Sequence, residues 1–194
     1  MILPLATFVQ LATACGPSVH VETLASVAHT ESRFDTHAIH DNVTGRTYHP
    51  AVQGEAVRIA TDLVVAKRHS TDLGLMQINS ANLPNLGMTI AQSFDACKSI
   101  AAGARVLVAG YRPPEMRGDV QPALLRALSR YNTGRPDRGF ANGYVRRVQL
   151  AAAQIVPAIR LAGTYGQEEG TGDIAPTPPV SPPPPSWDVY GHAR

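Results

Sequence analysis

The chain has little net charge: in 194 residues, 17 lysines and arginines against 15 aspartates and glutamates leave +2. Lys and Arg form no long run, so the electrostatic footprint of a nucleic-acid-binding protein is missing. Long apolar runs are missing too. None reaches the roughly eighteen residues of a membrane span, which argues against a transmembrane segment. Cysteine is scarce, with only Cys15 and Cys97, and two isolated cysteines do not make a zinc site of the usual spacing. The seven histidines are scattered, and His37, His40 and His49 sit in a stretch of loop or strand character. No metal and no cofactor is expected. What is present is 44% hydrophobic residues in a length that suits one compact unit.

Met1 to Cys15 is apolar enough to resemble the core of a secretory signal, yet no basic residue opens it. Its ending resembles a lipoprotein box, with Ala12 where Leu is expected. Leu5, Phe8, Ala12 and Cys15 share one helical face and Pro4 suits a first turn, so we read a first helix of the folded domain. A second helix covers 21–32, with Glu22 in the first turn where negative charge suits the helix dipole. Residues 36–50 carry turn formers around Asn42 to Gly45 and read as a β-hairpin. A third helix, 53–68, has Ala56, Ile59, Ala60, Leu63 and Ala66 on one stripe, and Gly74 to Asn79 reads as a loop.

Thr89-Ile-Ala-Gln92 fits a capping box opening a helix with Ile90, Phe94, Cys97, Ala101, Ala104 and Val108 on one face, stopped by Pro113-Pro114. Helices over 121–131 and 138–160 carry Leu124, Leu128 and Tyr131, then Phe140, Tyr144, Val148 and Ala152. From Gly163 the composition changes, and Pro176 to Pro185 holds seven prolines in ten positions. Such a run makes neither helix nor sheet hydrogen bonds. The expected organisation is a mainly α domain over 1–162 with a small β-hairpin region, then a disordered Pro-rich tail over 163–194.

Glu31 is the candidate for chemistry. Leu24, Val27, Ala28 and Glu31 fall at i, i+3, i+4 and i+7, so a carboxyl ends an apolar stripe. Apolar surroundings disfavour the charged form and raise the pKa, the condition for a general acid near neutrality. Alone, the same residue reads more readily as the solvated end of an amphipathic helix. Its company decides otherwise. Glu31-Ser32 with Phe34, Gly74-Leu-Met-Gln-Ile-Asn79, and Ser129-Arg-Tyr-Asn-Thr-Gly134 match, in order, the three signature blocks of the lysozyme-like lytic transglycosylases. Within them the chain resembles the type IV secretion lytic transglycosylases of VirB-type and conjugative transfer operons. That resemblance takes in Cys15-Gly-Pro-Ser-Val-His20, His69-Ser-Thr-Asp-Leu73, and Phe94-Asp-Ala-Cys97 followed by Ala101-Ala-Gly103. It covers roughly residues 4 to 160 and none of the tail.

The resemblance implies an α+β, mainly α lysozyme-like fold that cleaves the β-1,4 bond between N-acetylmuramic acid and N-acetylglucosamine, forming a 1,6-anhydro sugar without water. It assigns Glu31 as acid and base, Ser32 as its orienter or an N-acetyl contact, and Met76 and Gln77 as cleft lining. Tyr131 is expected to direct its phenol toward Glu31, Asn132 to bond backbone or sugar, and Tyr144 to be the weakest member of the set. Each of these also has an ordinary structural reading, as core, helix stripe or turn. Asp35 reads as a cap or surface residue, and Asp72 as a stabiliser of the Gly-Leu-Met-Gln loop through backbone hydrogen bonds. If either lies across the cleft from Glu31, a hydrolytic lysozyme becomes credible; a non-catalytic peptidoglycan-binding assembly factor is a further alternative.

The family acts in the periplasm, an oxidising compartment, so pairing of Cys15 with Cys97 is favoured over two buried free thiols. On the chain-entropy model such a link contributes on the order of 4 kcal/mol. Expected partners are peptidoglycan strands and envelope components of the secretion machine; the tail, tipped by Trp187 and Tyr190, reads as either a linker or a docking segment for the latter.

Overall fold

The computed structural model describes residues 1–113 and 120–165; Pro114 and the Pro-rich tail lie outside the described residues. Helix α1 (Leu5–Cys15) begins immediately after Pro4, one position later than a first-turn proline requires, and buries Phe8 and Ala12 on the expected face. Helix α2 (Val21–Ser32) starts where His20 accepts a hydrogen bond from the Glu22 amide at 3.4 Å. Its apolar stripe, Leu24, Val27 and Ala28, is fully buried and lies along α8 (Tyr144–Tyr165). Helix α5 (Ala96–Gly110) packs on α1 and on α6 (Val120–Thr133). One core joins these helices through Phe8, Leu24, Ile100, Leu124 and Val148. Each fully buried side chain of this size contributes roughly 1.5–3 kcal/mol.

The expected hairpin is present as β1 (Ile39–Asp41) and β2 (Thr47–Tyr48). It belongs to a larger sheet than the sequence indicates. Gly74 to Asn79 is not all loop: β3 (Thr71–Leu73) and β4 (Ile78–Asn79) flank a turn, giving an antiparallel sheet of order β2-β1-β3-β4. Two- and three-residue strands are too short for their alternation to stand out in the sequence. Register sorts the side chains into two rows. Tyr48, Ile39, Leu73 and Ile78 are cross-strand neighbours in an apolar row, while Thr47, His40, Asp72 and Asn79 are neighbours in a polar one.

Three helices differ from their expected form. The third is α-helical only over Gln53–Thr61 (α3) and continues as a π-helical turn, Asp62–Ala66; the wider turn rotates the stripe, and Ala66 is exposed. The Thr89 capping box forms, with Gln92 Oε1 accepting from the Thr89 amide at 2.9 Å, but it opens only a 3₁₀ turn, Ala91–Phe94. Asp95 then caps α5 by accepting from the Lys98 amide at 2.8 Å. That break resets the phase, so α5 buries Ile100, Gly103, Ala104 and Leu107, leaving Cys97 and Val108 exposed. The last predicted helix is two, α7 (Arg138–Ala141) and α8, separated at Asn142-Gly143 where Gly143 has a φ of 75°; Phe140 is exposed rather than core. Helix α8 continues to Tyr165, past the composition change at Gly163. The short α4 (Leu83–Leu86) completes the set.

Cys15 and Cys97 are joined in a disulfide, Cα atoms 5.4 Å apart, fixing the end of α1 to the first turn of α5. Among the described residues no helix is long and apolar enough to cross a membrane.

Candidate active site

Glu31 stands in the last turn of α2, and the chain leaves that helix by an unusual route. Arg33 and Phe34 both adopt left-handed φ angles, 55° and 65°. Such conformations cost of order 1–3 kcal/mol each for non-glycine residues and persist only where the surroundings enforce them. Enforcement comes from Asp35. It is buried, not a surface residue as expected, and is ion-paired with the Met1 ammonium at 2.6 Å, lies 2.9 Å from His49 Nδ1, and accepts from the His37 amide at 3.0 Å. The turn is therefore anchored on its far side, and Glu31 is held facing a cleft.

Two cavities of about 620 and 440 Å³ meet at Glu31 and share Asn42, Asp72, Gln77 and Asn132 with it, forming one cleft with an arm on either side. Burial pushes the Glu31 carboxyl up from 4.5 to about 7; the Asp72 charge adds to the rise, while the Tyr144 hydrogen bond and the Arg147 charge oppose it. The acid and its conjugate base are thus both populated near neutrality.

Tyr144, ranked last from the sequence, is the residue that touches Glu31. Its hydroxyl donates to Glu31 Oε1 at 2.5 Å. With Oε1 accepting from the phenol, the acidic proton belongs on Oε2. Tyr144 opens α8, where Asn142 accepts from its amide at 3.0 Å. Tyr131 instead donates to the Met76 carbonyl at 2.6 Å. Burial, reinforced by the Glu31 charge, pushes both phenols well above their ordinary value, so both remain donors through neutral pH.

The other expected residues converge on the loop before β4. Ser32 is buried, and its hydroxyl lies 2.7 Å from the Leu75 carbonyl and 3.2 Å from that of Ala28, so it ties α2 to the loop and is not bonded to Glu31. Met76 is fully buried rather than lining the cleft: a Cβ at Gly103 would come within 2.6 Å of its terminal methyl. The absence of a side chain at Gly103 is what admits it. Gln77, with a φ of 46°, lines both arms, and its amide nitrogen donates to the Gly74 carbonyl at 2.8 Å and to that of Ala38 at 3.0 Å. Gly74 has a φ of 72°, and any Cβ there would collide with the Ser93 carbonyl. Asn132 lines both arms and accepts from the Asn142 amide group at 2.9 Å.

Asp72 departs most from its expected place. It does not brace the loop through backbone amides; its oxygens accept from the side chains of Asn79 at 2.7 Å and Asn42 at 2.9 Å, facing the same cleft as Glu31. The register of β1, β3 and β4 puts it there, a pairing no local pattern reveals. Asp41, on β1, stays outside this set: burial raises its pKa, but hydrogen bonds from Thr44, His69 and Val43 outweigh that and bring it to about 2.

The sequence is similar to those of known proteins. Residues 9–152 match the family described as Transglycosylase SLT domain. Protein virB1 of Rhizobium radiobacter is 44% identical, across 90% of this chain and 81% of its own length. Protein virB1 of Agrobacterium fabrum is 41% identical, across 97% and 72%. Type IV secretion system protein virB1 of Brucella suis is 36% identical, across 79% and 69%. No solved structure matches the chain. A family match over most of the described helices and sheet, joined to relatives of this similarity, means that the chain belongs to the SLT-domain lytic transglycosylases.

Proposed function

We propose that this enzyme cleaves the β-1,4 bond between N-acetylmuramic acid and N-acetylglucosamine in peptidoglycan, with Glu31 as both acid and base. The observation that carries the reading is the Glu31 carboxyl, raised to about 7 in an open cleft and held by the Tyr144 phenol. Protonated on Oε2, Glu31 gives its proton to the glycosidic oxygen as the bond to C1 breaks. Its carboxylate then takes the proton of the muramoyl C6 hydroxyl, whose oxygen bonds to C1. One bond is exchanged for another, the proton on Glu31 is restored, and no water is consumed. A single carboxylate suffices because the nucleophile is supplied by the sugar itself.

In this reading Tyr144 orients the acid. Ser32, Met76 and Tyr131 support it indirectly, by fixing the loop, whereas Gln77 and Asn132 face the sugar. The catalytic unit is residues 1–162 together with the end of α8, and the Pro-rich remainder is a tail that reaches partners. By likeness to the Brucella protein, the setting is local opening of the wall in the periplasm for a type IV secretion or conjugation apparatus.

The test is mass analysis of muropeptides released from purified sacculi by the full chain. Products one water lighter than hydrolysed fragments are expected. Hydrolysis is a second reading with a specific observation behind it, the Asp72 carboxylate in the same cleft. Fully hydrated products would establish that reading, and no release would leave the fold as a binding module.

A further inference from the structure

The two arms of the cleft differ in one respect that the bond-breaking step does not use. The arm between α5, α6 and β4 is lined by Arg112 and Arg130. Arg130 projects from α6 and donates through one terminal nitrogen to the Gly110 carbonyl at 3.1 Å, and Arg112 donates through one to the carbonyls of Ala109 at 2.7 Å and Tyr111 at 2.9 Å. Both side chains are thus clamped to the last turn of α5, where free carbonyls and the dipole favour a cation. A guanidinium has five N–H donors, so this clamping leaves most of each group unused. Among the described residues neither Arg has an ion-pair partner, and both face the cavity that contains Glu31. Two held guanidinium groups with no counter-charge among the described residues, at one end of the cleft, fit a planar anion, which they bind through paired donors.

We propose that Arg112 and Arg130 form a subsite for a carboxylate of the peptide stem carried by the muramoyl residue, so that the enzyme prefers stem-bearing glycan over bare glycan. The inference rests on the peptidoglycan reading above. Sugars themselves are neutral in an N-acetylglucosamine and muramoyl-amide strand; the stems carry its carboxylates. A pair of arginines therefore has something to bind only when the stem is present. Clamping both guanidinium groups to backbone also lowers the entropy lost when they engage it.

The test uses the full chain on three substrates: intact strands, strands stripped of stems by an amidase with the lactyl carboxyls so exposed then converted to amides, and intact strands whose carboxyls have been converted to amides by carbodiimide and ammonia. The wild type is expected to have kcat/KM about tenfold higher on the first than on the other two. In Arg112→Gln, Arg130→Gln the ratio collapses toward one, and amidation of the substrate has no further effect. Arg130 also steadies α5, so thermal melting accompanies the assay, and the single Arg112→Gln variant, altered at an exposed position, must lower the same ratio. Equal rates of the wild type on all three substrates, or loss by the same factor on all three in the variants, would overturn the subsite while leaving the glycan reading standing. A wild type inert on every substrate would overturn both.

Discussion

The helical and the sheet sides of the cleft are built on opposite principles. On the helical side, α2 and α8 pack through fully buried apolar faces, and the groups that meet there, Glu31 and Tyr144, are held by that packing in a position that shifts their protonation. On the sheet side, order comes from amide hydrogen bonds around Asp72 and from backbone forced into left-handed conformations at Gly74 and Gln77. The helical side tunes a proton, and the sheet side fixes a shape. Ser32 and Tyr131 join them, each bonded to a carbonyl of the intervening loop.

Glu31→Gln strikes the helical side hardest. Turnover should fall by about a thousandfold or more, because the amide keeps the shape but carries no transferable proton. The same variant should be the more stable protein in alkali. A folded-state pKa raised from 4.5 to about 7 means that ionising Glu31 opposes folding, a cost absent below pH 4.5 and complete above pH 7. Urea melts should therefore coincide near pH 4 and separate by about 3 kcal/mol at pH 8, in favour of the variant. Coincident melts at pH 8 would break the claim that this side stores its function as buried charge.

Gly74→Ala is the equivalent blow to the sheet side. A Cβ at a φ of 72° against the Ser93 carbonyl should cost about 3 kcal/mol or more, read as a lowered melting midpoint. An unchanged midpoint would show that the turn relaxes freely.

Tyr144→Phe should lower turnover by about ten- to a hundredfold and raise the Glu31 pKa further, because the lost hydrogen bond had been lowering it. The alkaline limb of the pH–rate profile then moves upward. Tyr131→Phe sharpens the contrast: it severs the tie to Met76 and should cost about 1–2 kcal/mol of stability without moving that limb.

The smallest effect is expected from Asp72→Asn. Its charge raises the Glu31 pKa, so its removal should shift the alkaline limb downward and reduce turnover only about two- to fivefold, with the anhydro product retained. Loss of all turnover would instead make Asp72 a second catalytic carboxylate.

The helical side was the more legible in the sequence. The stripe ending in Glu31 follows from spacing alone, and the buried faces of α1, α2 and α6 follow the expected residues. The sheet side was not, because strands of two or three residues give too few alternations, and the polar row containing Asp72 exists only through cross-strand register. Tyr144 was underrated for a related reason. As the first residue of α8 it shares a core stripe with Val148 and Ala152, so the pattern reads as packing, and only the crossing of α8 over α2 aims the phenol at the carboxyl. The phase of α5 was misread because the capping box belongs to the short turn before it.

The disulfide sets a condition on when this protein becomes durable. Cys97 is exposed and Cys15 only partly covered, so the bond lies within reach of dissolved thiols. Before oxidation the chain lacks a constraint closing a loop of 82 residues, worth about 4 kcal/mol on the entropic account, in a molecule whose whole margin is of order 5–15 kcal/mol. The reduced chain therefore opens more often and meets proteases in that open form, whereas the oxidised one resists them. Redox history becomes a clock: a wall-cutting domain is short-lived in a reducing medium and long-lived once an oxidant has closed it.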